Sequence, residues 1–504
     1  MSKVIVVGAG LAGSLLAIYL AKRGIQVDVF EARPDMRKGQ TGGGRSINLA
    51  LSDRGIAALR EVGMDEYMLA EAVPMYGRMI HSVSGETKLL PYSGRTGEYI
   101  NSVSRAGLNI ALINEAEKYP DVRFFFEHRC VGLDIDKGTV AFDNGRTADG
   151  NTVIATDGAG SAIRHAFQKS IPGFQISEAF LEHGYKELHI PPSDRGQPAR
   201  LERKPFDRSA FQLEPNALHI WPRHQFMMIA LPNFDGSFTC TLFLDNTGRN
   251  ASVNERASTR EEGTLPNDRV SARLAEPSFD QLTDETSLLD FFNREFPYAV
   301  PLMPTLTEDF FLNPTGRLGT VRCWPWHFED KVLLLGDSAH AMVPFYGQGM
   351  NCAFEDVRVL DQLLSEPPTG VPAGASPSGV TMSAGGQFPW QKIFEEYSRL
   401  RKPNTDAIQD MAEENFYEMR DATAEPVFQR KRKLETKLEQ TYPDYFSKYS
   451  MVTFREDLPY SVAKQKGNAQ DKLLMDICEN ITSTDELNLN DVMSEVRELD
   501  RTNL

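Results

Sequence analysis

The sequence is poor in cysteine, and the cysteines that it has are scattered. Five occur in 504 residues, and no two of them form a CxxC pair. An odd and dispersed set excludes a disulfide framework and a zinc site built from paired thiolates. The thiols are therefore predicted to be buried and free in a reducing compartment, and no metal site is predicted.

Long apolar runs and an excess of positive charge are also missing. No run reaches the roughly 18 apolar residues that a membrane-spanning helix needs, and no cleavable signal precedes the first predicted strand. Lysine and arginine number 54 against 70 aspartates and glutamates, which gives a net charge of -16. An acidic chain of this kind is not expected to bind nucleic acid. Together these absences predict a cytoplasmic protein.

The N-terminal segment has the pattern of a dinucleotide-binding βαβ unit. Lys3–Val7 is an apolar run that predicts a buried strand, and Ser14–Arg23 predicts a helix. Between them lies GAGLAG, with Gly8, Gly10 and Gly13. Glycines at these places allow a tight turn and a close approach of a pyrophosphate to the helix N-terminus.

An acidic residue ends the second predicted strand of this unit. The strand is Gln26–Phe30, and Glu31 follows it, 18 residues after Gly13. A carboxylate at this place binds ribose hydroxyls in dinucleotide sites. The glycine pattern alone would be a weak signal, but two strands, a helix and the acid together indicate a bound dinucleotide.

Two later strands also end in aspartate and glycine. Thr152–Thr156 precedes Asp157, and Val332–Leu335 precedes Gly336 and Asp337. The carboxyl ends of parallel strands form the ligand edge of an open α/β sheet. Either motif alone would fit an ordinary strand–turn–helix connection, whereas three strand ends of this type favour one shared site. The loop after Asp337 and the helix predicted to follow it contain Pro344, Gly347, Gly349, Met350 and Asn351.

This trio of motifs resembles the FAD-dependent aromatic hydroxylases of the para-hydroxybenzoate hydroxylase type. The resemblance implies an α/β fold, with a Rossmann-like FAD-binding domain interleaved with an antiparallel-sheet substrate domain, plus a C-terminal helical region. It also implies that Asp337 contacts the ribityl chain of FAD and that the loop after it faces the isoalloxazine ring.

The domain boundaries follow from changes in pattern along the chain. A discontinuous FAD-binding domain is predicted from residues 1–75, 101–178 and 308–365, and a substrate domain from residues 76–100 and 179–307. Within the latter, Ser237–Leu244 alternates apolar residues with threonine, which predicts a half-buried strand. A polar stretch near 246–277 is predicted to be a flexible insertion, and a Pro-, Gly- and Ser-rich stretch at 366–389 a flexible linker.

Residues 390–504 are predicted to be helical, with Pro403 breaking the first helix. Two helix starts are also predicted from capping residues: Ser52 before Asp53–Glu61, and Ser104 before a helix whose first turn holds Arg105. A cation in the first turn is unfavourable with the helix dipole unless it has a partner. A bound phosphate or flavin is a plausible partner for Arg105.

Longer blocks narrow the resemblance to the kynurenine 3-monooxygenase family. They run in order over most of residues 1–455, and several have no generic flavoprotein role. Examples are GRSINLALSDRG (Gly44–Gly55), LHIWPR (Leu218–Arg223), FTCTLF (Phe238–Phe243), RKPNTDAI (Arg401–Ile408) and NFYEMR (Asn415–Arg420).

The resemblance implies an enzyme that hydroxylates L-kynurenine to 3-hydroxykynurenine in tryptophan catabolism. NADPH and O2 would be co-substrates, and the reaction would pass through a flavin C4a-hydroperoxide. A hydroxylase of another aromatic acid is the alternative, and a flavin protein that senses a ligand without turnover is a third class. Oligomeric state is not indicated beyond monomer or homodimer.

The resemblance also implies site residues. The substrate would be bound by Arg78, Tyr92, Asn415 and Tyr449, although a neighbouring backbone group is the commoner partner for a buried asparagine such as Asn415. The cofactor site would comprise Gly8, Gly10, Ala12, Gly13, Glu31, Arg33, Ala50, Arg105, the backbone at Cys130, Asp337, Pro344, Gly347, Gly349, Met350 and Asn351.

No general base is assigned, because the substrate's own aniline amine activates the ring carbon. His340, beside the GD motif, is expected to be structural. No second glycine motif is present, so NADPH is expected to bind transiently over the flavin.

Overall fold

The computed structural model describes residues 3–38, 48–193, 207–248, 277–365, 388–420 and 425–502. The polar segment near 246–277 and the segment 366–389 lie almost wholly outside these ranges. The prediction that they are flexible stays a prediction.

The strands in the described ranges are β1 (Lys3–Val7), β2 (Gln26–Phe30), β3 (Asn48–Leu51), β4 (Val73–Met75), β5 (Gly77–His81), β6 (Thr87–Pro91), β7 (Ile100–Ser104), β8 (Val122–Phe125), β9 (Cys130–Asp134), β10 (Thr139–Phe142), β11 (Thr147–Asp149), β12 (Thr152–Ala155), β13 (Gln175–Ile190), β14 (Leu218–Pro222), β15 (Met227–Pro232), β16 (Phe238–Asp245), β17 (Gly316–Trp324), β18 (His327–Phe328) and β19 (Val332–Leu334).

The α-helices there are α1 (Leu11–Lys22), α2 (Asp53–Glu61), α3 (Asp65–Leu69), α4 (Arg105–Ala116), α5 (Ala162–Ser170), α6 (Glu285–Glu295), α7 (Leu306–Leu312), α8 (Asp337–His340), α9 (Gly349–Ser365), α10 (Trp390–Arg420), α11 (Pro426–Thr441), α12 (Lys448–Thr453), α13 (Tyr460–Glu479) and α14 (Leu489–Thr502).

A six-stranded sheet in the order β18-β19-β12-β1-β2-β8 forms the cofactor half. Its strands are parallel except for the edge strand β18. The register pairs Val7 with Phe30 on one side and with Ala155 on the other, and Ala155 with Leu334. The strands therefore end at one level, and the predicted GxGxxG, Glu31, DG and GD positions meet at the same edge of the sheet.

A seven-stranded sheet in the order β17-β13-β16-β15-β14-β5-β6 forms the second layer. Its pairs are antiparallel except β14 with β5, where Leu218 faces Arg78. The prediction that β16 is half-buried was wrong, since all eight of its residues are buried. One face packs on aromatic residues of α6 and α7. The other face packs on the loop after α8, where the ring centroids of Phe243 and Phe345 lie 4.9 Å apart.

The C-terminal region is helical, as predicted, but α10 runs through Pro403 without a break. Proline removes one helical hydrogen bond and crowds the preceding turn. Here the turns on both sides are held by buried residues, with Arg401 3% and Thr405 0% exposed. These tertiary contacts outweigh the local preference. None of the helices in the described ranges is long and apolar enough to cross a membrane.

The two predicted caps differ in outcome. The Ser104 side chain accepts a hydrogen bond from the Gly107 N–H at the start of α4, as predicted. Ser52 does stand at the N-cap position of α2, but its side chain bonds no N–H of that helix. Its hydroxyl instead accepts from Gln348 Nε2, at 3.3 Å. A tertiary contact has replaced the local cap.

Candidate active site

The glycines of the first motif divide into two kinds. A Cβ on Gly8 would lie 2.5 Å from the Thr156 carbonyl oxygen, and one on Gly13 would lie 2.0 Å from the Gly8 carbonyl oxygen. Those two glycines permit close packing of β1, β12 and α1. A Cβ on Gly10 would meet nothing within 4 Å. Gly10 therefore faces open space at the N-terminus of α1, where first-turn N–H groups can bind an anion.

Glu31 stands beside this turn. Its Oε2 accepts from the Ala9 N–H at 2.8 Å, and its Oε1 accepts from the Arg33 N–H at 3.0 Å. Each carboxylate oxygen keeps a second lone pair. The Glu31 carboxylate thus fixes the glycine turn and can still accept hydrogen bonds from ribose hydroxyls, and the exposed Arg33 lies next to it.

The DG and GD motifs are joined by a buried arginine. The Arg164 guanidinium donates to the Ser338 carbonyl at 2.9 Å and forms an ion pair with Glu178 at 3.1 Å. Asp157 Oδ2 accepts from the N–H groups of Ala162 and Ile163 at the start of α5. Burial raises the pKa of the Asp157 carboxyl. Burial also raises the pKa of the Cys130 thiol, to about 12, and the charge of Asp157 adds to that rise. The Cys130 thiol thus lies near the DG turn.

The GD turn lies between two helices. A Cβ on Gly336, whose φ is +64°, would lie 3.3 Å from Ala353 Cβ and 3.6 Å from Ala12 Cβ. Part of the Asp337 side chain is exposed, but the protein that surrounds its carboxyl group removes water from it and so raises its pKa. His340 and Arg105 oppose this rise. Arg105 is exposed and has no ion pair within the described ranges. Its charge acts on Asp337 and also on Glu187 of strand β13.

The loop after the GD motif rests on strand β3. Gly347 is left-handed, with φ +69°, and a Cβ there would lie 3.0 Å from Ala50 Cβ. Asn351 Nδ2 donates to the carbonyls of Ala50 and Gly347 at 2.8 and 2.9 Å, and its Oδ1 accepts from the Ser52 N–H. The Asn351 side-chain amide thus stabilises the contact between the loop and strand β3. The N–H groups of Met350 and Asn351, in the first turn of α9, remain for a ligand.

A cavity lies on the other side of this loop, between the seven-stranded sheet and the C-terminal helices. Three of the four predicted substrate residues line it, and the fourth, Tyr92, stacks on Tyr449 with ring centroids 5.1 Å apart. The structure therefore brings all four together. The lining residues are Arg78, Tyr346, Met411, Glu414, Asn415, Glu418, Lys431, Arg432, Glu435, Lys448, Tyr449 and Asp471.

Three buried donors in this region lack acceptors. Arg78 Nε and the hydroxyls of Tyr92 and Tyr346 make no hydrogen bond within the described part of the chain. Burial would lower the pKa of Arg78, but Tyr449 and Glu418 raise it, so the guanidinium is charged. Buried donors without partners are costly. Their convergence fits a ligand that carries acceptor oxygens.

The other cations of the cavity are already paired. Lys431 and Lys448 lie 2.5 and 2.6 Å from Asp471, and Arg432 lies 2.7 Å from Glu435. The nearest carboxylate to Arg78 is that of Glu418, at 3.4 Å. Arg78 is thus the cation of this cavity with the most capacity to bind an added carboxylate.

Asn415 fits both interpretations of its sequence pattern. Its Nδ2 donates to the Phe345 carbonyl at 2.6 Å, so a backbone partner does exist. The residue also lines the cavity. Its hydrogen bonds use the amide nitrogen, which leaves Oδ1 to accept.

The spacing in the sequence indicated one further cavity residue, since Glu418 lies one helical turn after Asn415 on α10. Other cavity residues were not singled out. Tyr346 lies inside the predicted loop but was not singled out. Lys431, Lys448 and Asp471 belong to α11, α12 and α13, whose charged sequences carry no motif.

One cluster has ligand types that metals use. Atoms of His340, Cys352 and Asp356 lie within 4.8 Å of one another. Asp356, however, already binds His340 and Arg401, each at 2.6 Å. The guanidinium takes the place that a cation would need, and His340 is held as a structural residue.

The cleft at the sheet edge fits FAD. Gly10 leaves space at a helix N-terminus, Arg105 offers a cation without a partner in the described ranges, and Glu31 offers acceptors at the end of β2. Residues 1–192 and 318–375 match the family model described as FAD binding domain.

Known relatives of similar length match nearly the whole chain. Kynurenine 3-monooxygenase of Myxococcus xanthus is 42% identical over 96% of this chain and 93% of its own length. The enzymes of that name from Flavobacterium johnsoniae and Dictyostelium discoideum are each 39% identical, over 96% and 94% of this chain and 97% and 92% of their own lengths.

Solved structures share the fold at low identity. The tetrameric form of 2-methyl-3-hydroxypyridine-5-carboxylic acid oxygenase has a TM-score of 0.59 at 18% identity, covering 86% of this chain and 97% of that one. Pseudomonas aeruginosa PqsL in complex with 2-aminobenzoylacetate has a TM-score of 0.58 at 16% identity, covering 83% and 99%. An identity of 42% over nearly the whole length, together with the match to the FAD binding domain, makes this chain a member of the kynurenine 3-monooxygenase family of FAD-dependent monooxygenases.

Proposed function

We propose that this protein hydroxylates L-kynurenine to 3-hydroxykynurenine with NADPH and O2, in tryptophan catabolism. The observation that carries the proposal is the set of buried donors without acceptors, Arg78 Nε and the hydroxyls of Tyr92 and Tyr346, at one cavity next to the cofactor loop. An α-carboxylate would supply acceptors for all three. The name shared by the relatives supplies the substrate.

The amino-acid end of the substrate would be bound by opposite charges on two sides. Its carboxylate would bind Arg78, which has five N–H donors in a fixed plane. Its ammonium group would lie toward Asn415 Oδ1 and Glu418, whose carboxylate is held 3.4 Å from Arg78. A zwitterionic head would thus replace a long ion pair with two shorter ones.

The aromatic end would lie against the loop that separates the two sites. Tyr449 lies between the rings of Tyr92 and Tyr346, at 5.1 and 5.5 Å. These rings exclude water and limit the orientations of an aromatic ligand. No side chain of the cavity needs to act as a base, because the amine of the substrate activates the carbon that is hydroxylated.

The cofactor would be held at the sheet edge. Gly10 and the α1 N-terminus would receive the pyrophosphate with Arg105 nearby, Glu31 the ribose, and Asp337 the ribityl chain. When bound, FAD supplies the redox chemistry that accepts electrons from NADPH and delivers one oxygen atom of O2 to the substrate. The chain's part is to orient the ring toward the loop of residues 344–349 and to keep water out.

We also propose the cofactor domain as residues 1–75, 101–178 and 308–365. All six strands of the parallel sheet fall in it, although β17 (Gly316–Trp324) joins the other sheet. The cytoplasm is the proposed compartment, supported by the five free cysteines, four of them buried. Monomer or homodimer is the proposed state.

The test is a substrate panel with the purified FAD-loaded protein. NADPH oxidation is measured with L-kynurenine, with anthranilate, and with a kynurenine analogue that lacks the α-amino and α-carboxyl groups. Stimulation by L-kynurenine alone is expected, because the cavity recognises an amino-acid head. Equal stimulation by anthranilate would favour a hydroxylase of another aromatic acid, and no stimulation by any compound would favour a flavin protein without turnover.

A further inference from the structure

A continuous path of buried charged side chains runs from the GD turn to the helix that carries Tyr449. Its members come from four segments of the chain and lie outside both proposed binding sites. At its centre is Glu355 on α9, whose carboxylate forms ion pairs with two arginines, Arg54 and Arg401. Both arginines are nearly inaccessible, at 1% and 3% exposure.

The first half of the path fixes the GD turn. Arg401 Nε binds Asp356 Oδ1 at 2.6 Å. Asp356 Oδ2 in turn binds His340 at 2.6 Å and accepts from the Gly336 N–H at 3.2 Å. The backbone immediately before Asp337 is therefore held by a carboxylate that is itself held by Arg401. Asp356 is fully buried, and His340 and Arg401 lower its pKa in spite of that burial.

The second half fixes the segment that carries Tyr449. The Arg54 guanidinium donates to the backbone carbonyls of Val452, Arg455 and Leu458. Val452 lies in the last turn of α12, the helix that carries Tyr449. Carbonyls at a helix C-terminus have no partner within the helix, and a cation satisfies them well. Arg54 thus holds α12 against α2.

A side branch reaches the loop between the two sites. The Arg54 guanidinium carbon lies 4.0 Å from the Tyr460 ring centroid, and the Tyr460 hydroxyl donates to Gln348 Oε1 at 2.9 Å. Gln348 belongs to the loop of residues 344–349. Its Nε2 donates to the hydroxyl of Ser52, after strand β3.

We propose that Glu355 is a positioning residue for hydroxylation: by joining Arg401 to Arg54 it sets the helix that carries Tyr449, and with it the substrate, relative to the GD turn and the flavin loop. The carboxylate bridges two arginines that would otherwise repel each other. Without that bridge the Arg401 end remains on Asp356, so the cofactor cleft persists, while Arg54 loses its anionic partner. The proposal rests on the hydroxylation proposed above.

The test compares Glu355→Gln with Asp361→Asn, both on α9. Asp361 binds Arg23, the residue that follows α1, at 2.6 Å and has no part in the path. Three quantities are measured for the FAD-loaded proteins: the KM for L-kynurenine, the share of consumed NADPH that appears as hydrogen peroxide, and hydrogen–deuterium exchange of residues 448–453.

Glu355→Gln is expected to keep its flavin. Its KM should rise about fivefold or more, because a small misplacement of the substrate weakens productive binding. The share of NADPH that ends as hydrogen peroxide should at least roughly double, because a misplaced substrate no longer keeps water away from the flavin. Exchange in residues 448–453 rises in the same variant. Asp361→Asn changes none of the three. A Glu355→Gln protein that is less heat-stable but unchanged in all three quantities would overturn the proposal, because a purely structural residue behaves in that way.

A milder variant covers the case in which Glu355→Gln does not fold. Tyr460→Phe removes only the hydroxyl that donates to Gln348, and a smaller rise in the peroxide share is expected; no rise would count against the proposal. The exchange measurement requires no turnover. If wild-type protein fails to hydroxylate kynurenine, the proposed function falls while the link between Glu355 and residues 448–453 is still decided.

Discussion

The Arg78 guanidinium carbon lies 5.1 Å from the centre of the Tyr449 ring, on the inner side of the cavity. Arg78 comes from strand β5 of the large sheet, and Tyr449 comes from α12 in the C-terminal region. The C-terminal helices therefore complete the cavity that is the proposed substrate site. Three predictions follow from this arrangement and from the cofactor cleft, and a fourth concerns a buried pair of histidines.

Replacing Arg78 with alanine should weaken kynurenine binding without loss of flavin. A charge-assisted pair contributes about 1.5–3 kcal/mol, so the KM for L-kynurenine should rise about 10- to 100-fold. Arg78→Lys keeps the charge but not the planar donor set, and an intermediate KM is expected. Steady-state kinetics and the flavin absorbance of the purified variants check this. A KM that barely moves in Arg78→Ala would show that the carboxylate binds elsewhere.

Replacing Tyr92 with phenylalanine should separate binding from stability. The Tyr92 hydroxyl is buried without a hydrogen bond in the described ranges, so its removal should leave the substrate-free protein as stable as before or more stable. Kynurenine affinity should fall about 5- to 20-fold, for a loss of about 1–2 kcal/mol. Thermal unfolding and ligand titration measure the two effects.

The matched control is Tyr19→Phe. The Tyr19 hydroxyl donates to the Ala58 carbonyl at 2.7 Å and also binds Glu61. Its loss should lower the free energy of unfolding by about 1–2 kcal/mol and leave kynurenine affinity unchanged. A Tyr92→Phe protein that is destabilised like Tyr19→Phe would contradict the prediction, because it would show that the Tyr92 hydroxyl already has a stabilising partner in the substrate-free protein.

Replacing Gly10 with alanine should impair FAD binding but not folding. The added methyl group meets no protein atom within 4 Å, so it would project only into the proposed place of the pyrophosphate. The dissociation constant for FAD should rise about tenfold or more, equivalent to about 1.4 kcal/mol. Flavin fluorescence titration of the apoprotein measures it. In the control Gly132→Ala the added methyl group also meets nothing within 4 Å, and this variant should bind FAD normally. An equal loss of FAD affinity in both variants would contradict the assignment of Gly10 to the pyrophosphate site.

The histidine pair His81 and His219 should make the fold acid-sensitive. The Glu214 carbonyl accepts from His219 Nε2 at 2.8 Å, so His219 Nδ1 is the acceptor for His81 Nε2–H, also at 2.8 Å. Burial lowers the pKa of His81 to about 3 and that of His219 to about 4, and in His81 the charges of His219 and Arg223 add to the effect.

Both rings are therefore neutral in the folded state, while the unfolded chain takes up protons below a pKa of 6.5. The contribution of the two neutral histidines to the free energy of unfolding is fully present above that pH, and it falls as the pH drops from 6.5 toward 4. His81→Gln should make this decline shallower in urea unfolding at several pH values. The exposed His165→Gln should not. An unchanged slope in His81→Gln would contradict the assignment.

The cofactor half was largely predictable from the sequence because its signals are local. The strands of residues 3–7 and 26–30 are where the apolar runs predicted them, and the glycines lie at the strand ends. The rest depends on contacts between distant segments. Ser52 binds Gln348 instead of capping α2, and buried partners of Arg401 keep α10 continuous through Pro403.

The cavity was predictable only where the family resemblance reached it. Asn415 opens one of the family blocks, and Arg78, Tyr92 and Tyr449 were assigned from the same resemblance. Lys431 and Asp471 come from charged amphipathic helices that look like ordinary solvated surfaces. Their mutual pairing, at 2.5 Å, is decided by the packing of α11 against α13, which no local pattern encodes.

The most direct test of the account is turnover of L-kynurenine under isotopically labelled dioxygen. The FAD-loaded protein is mixed with NADPH and L-kynurenine, and the product is separated and weighed by mass spectrometry. We expect 3-hydroxykynurenine carrying one labelled oxygen atom for each NADPH consumed, and a large loss of that product in Arg78→Ala. NADPH consumption that yields labelled hydrogen peroxide and unchanged kynurenine would contradict it.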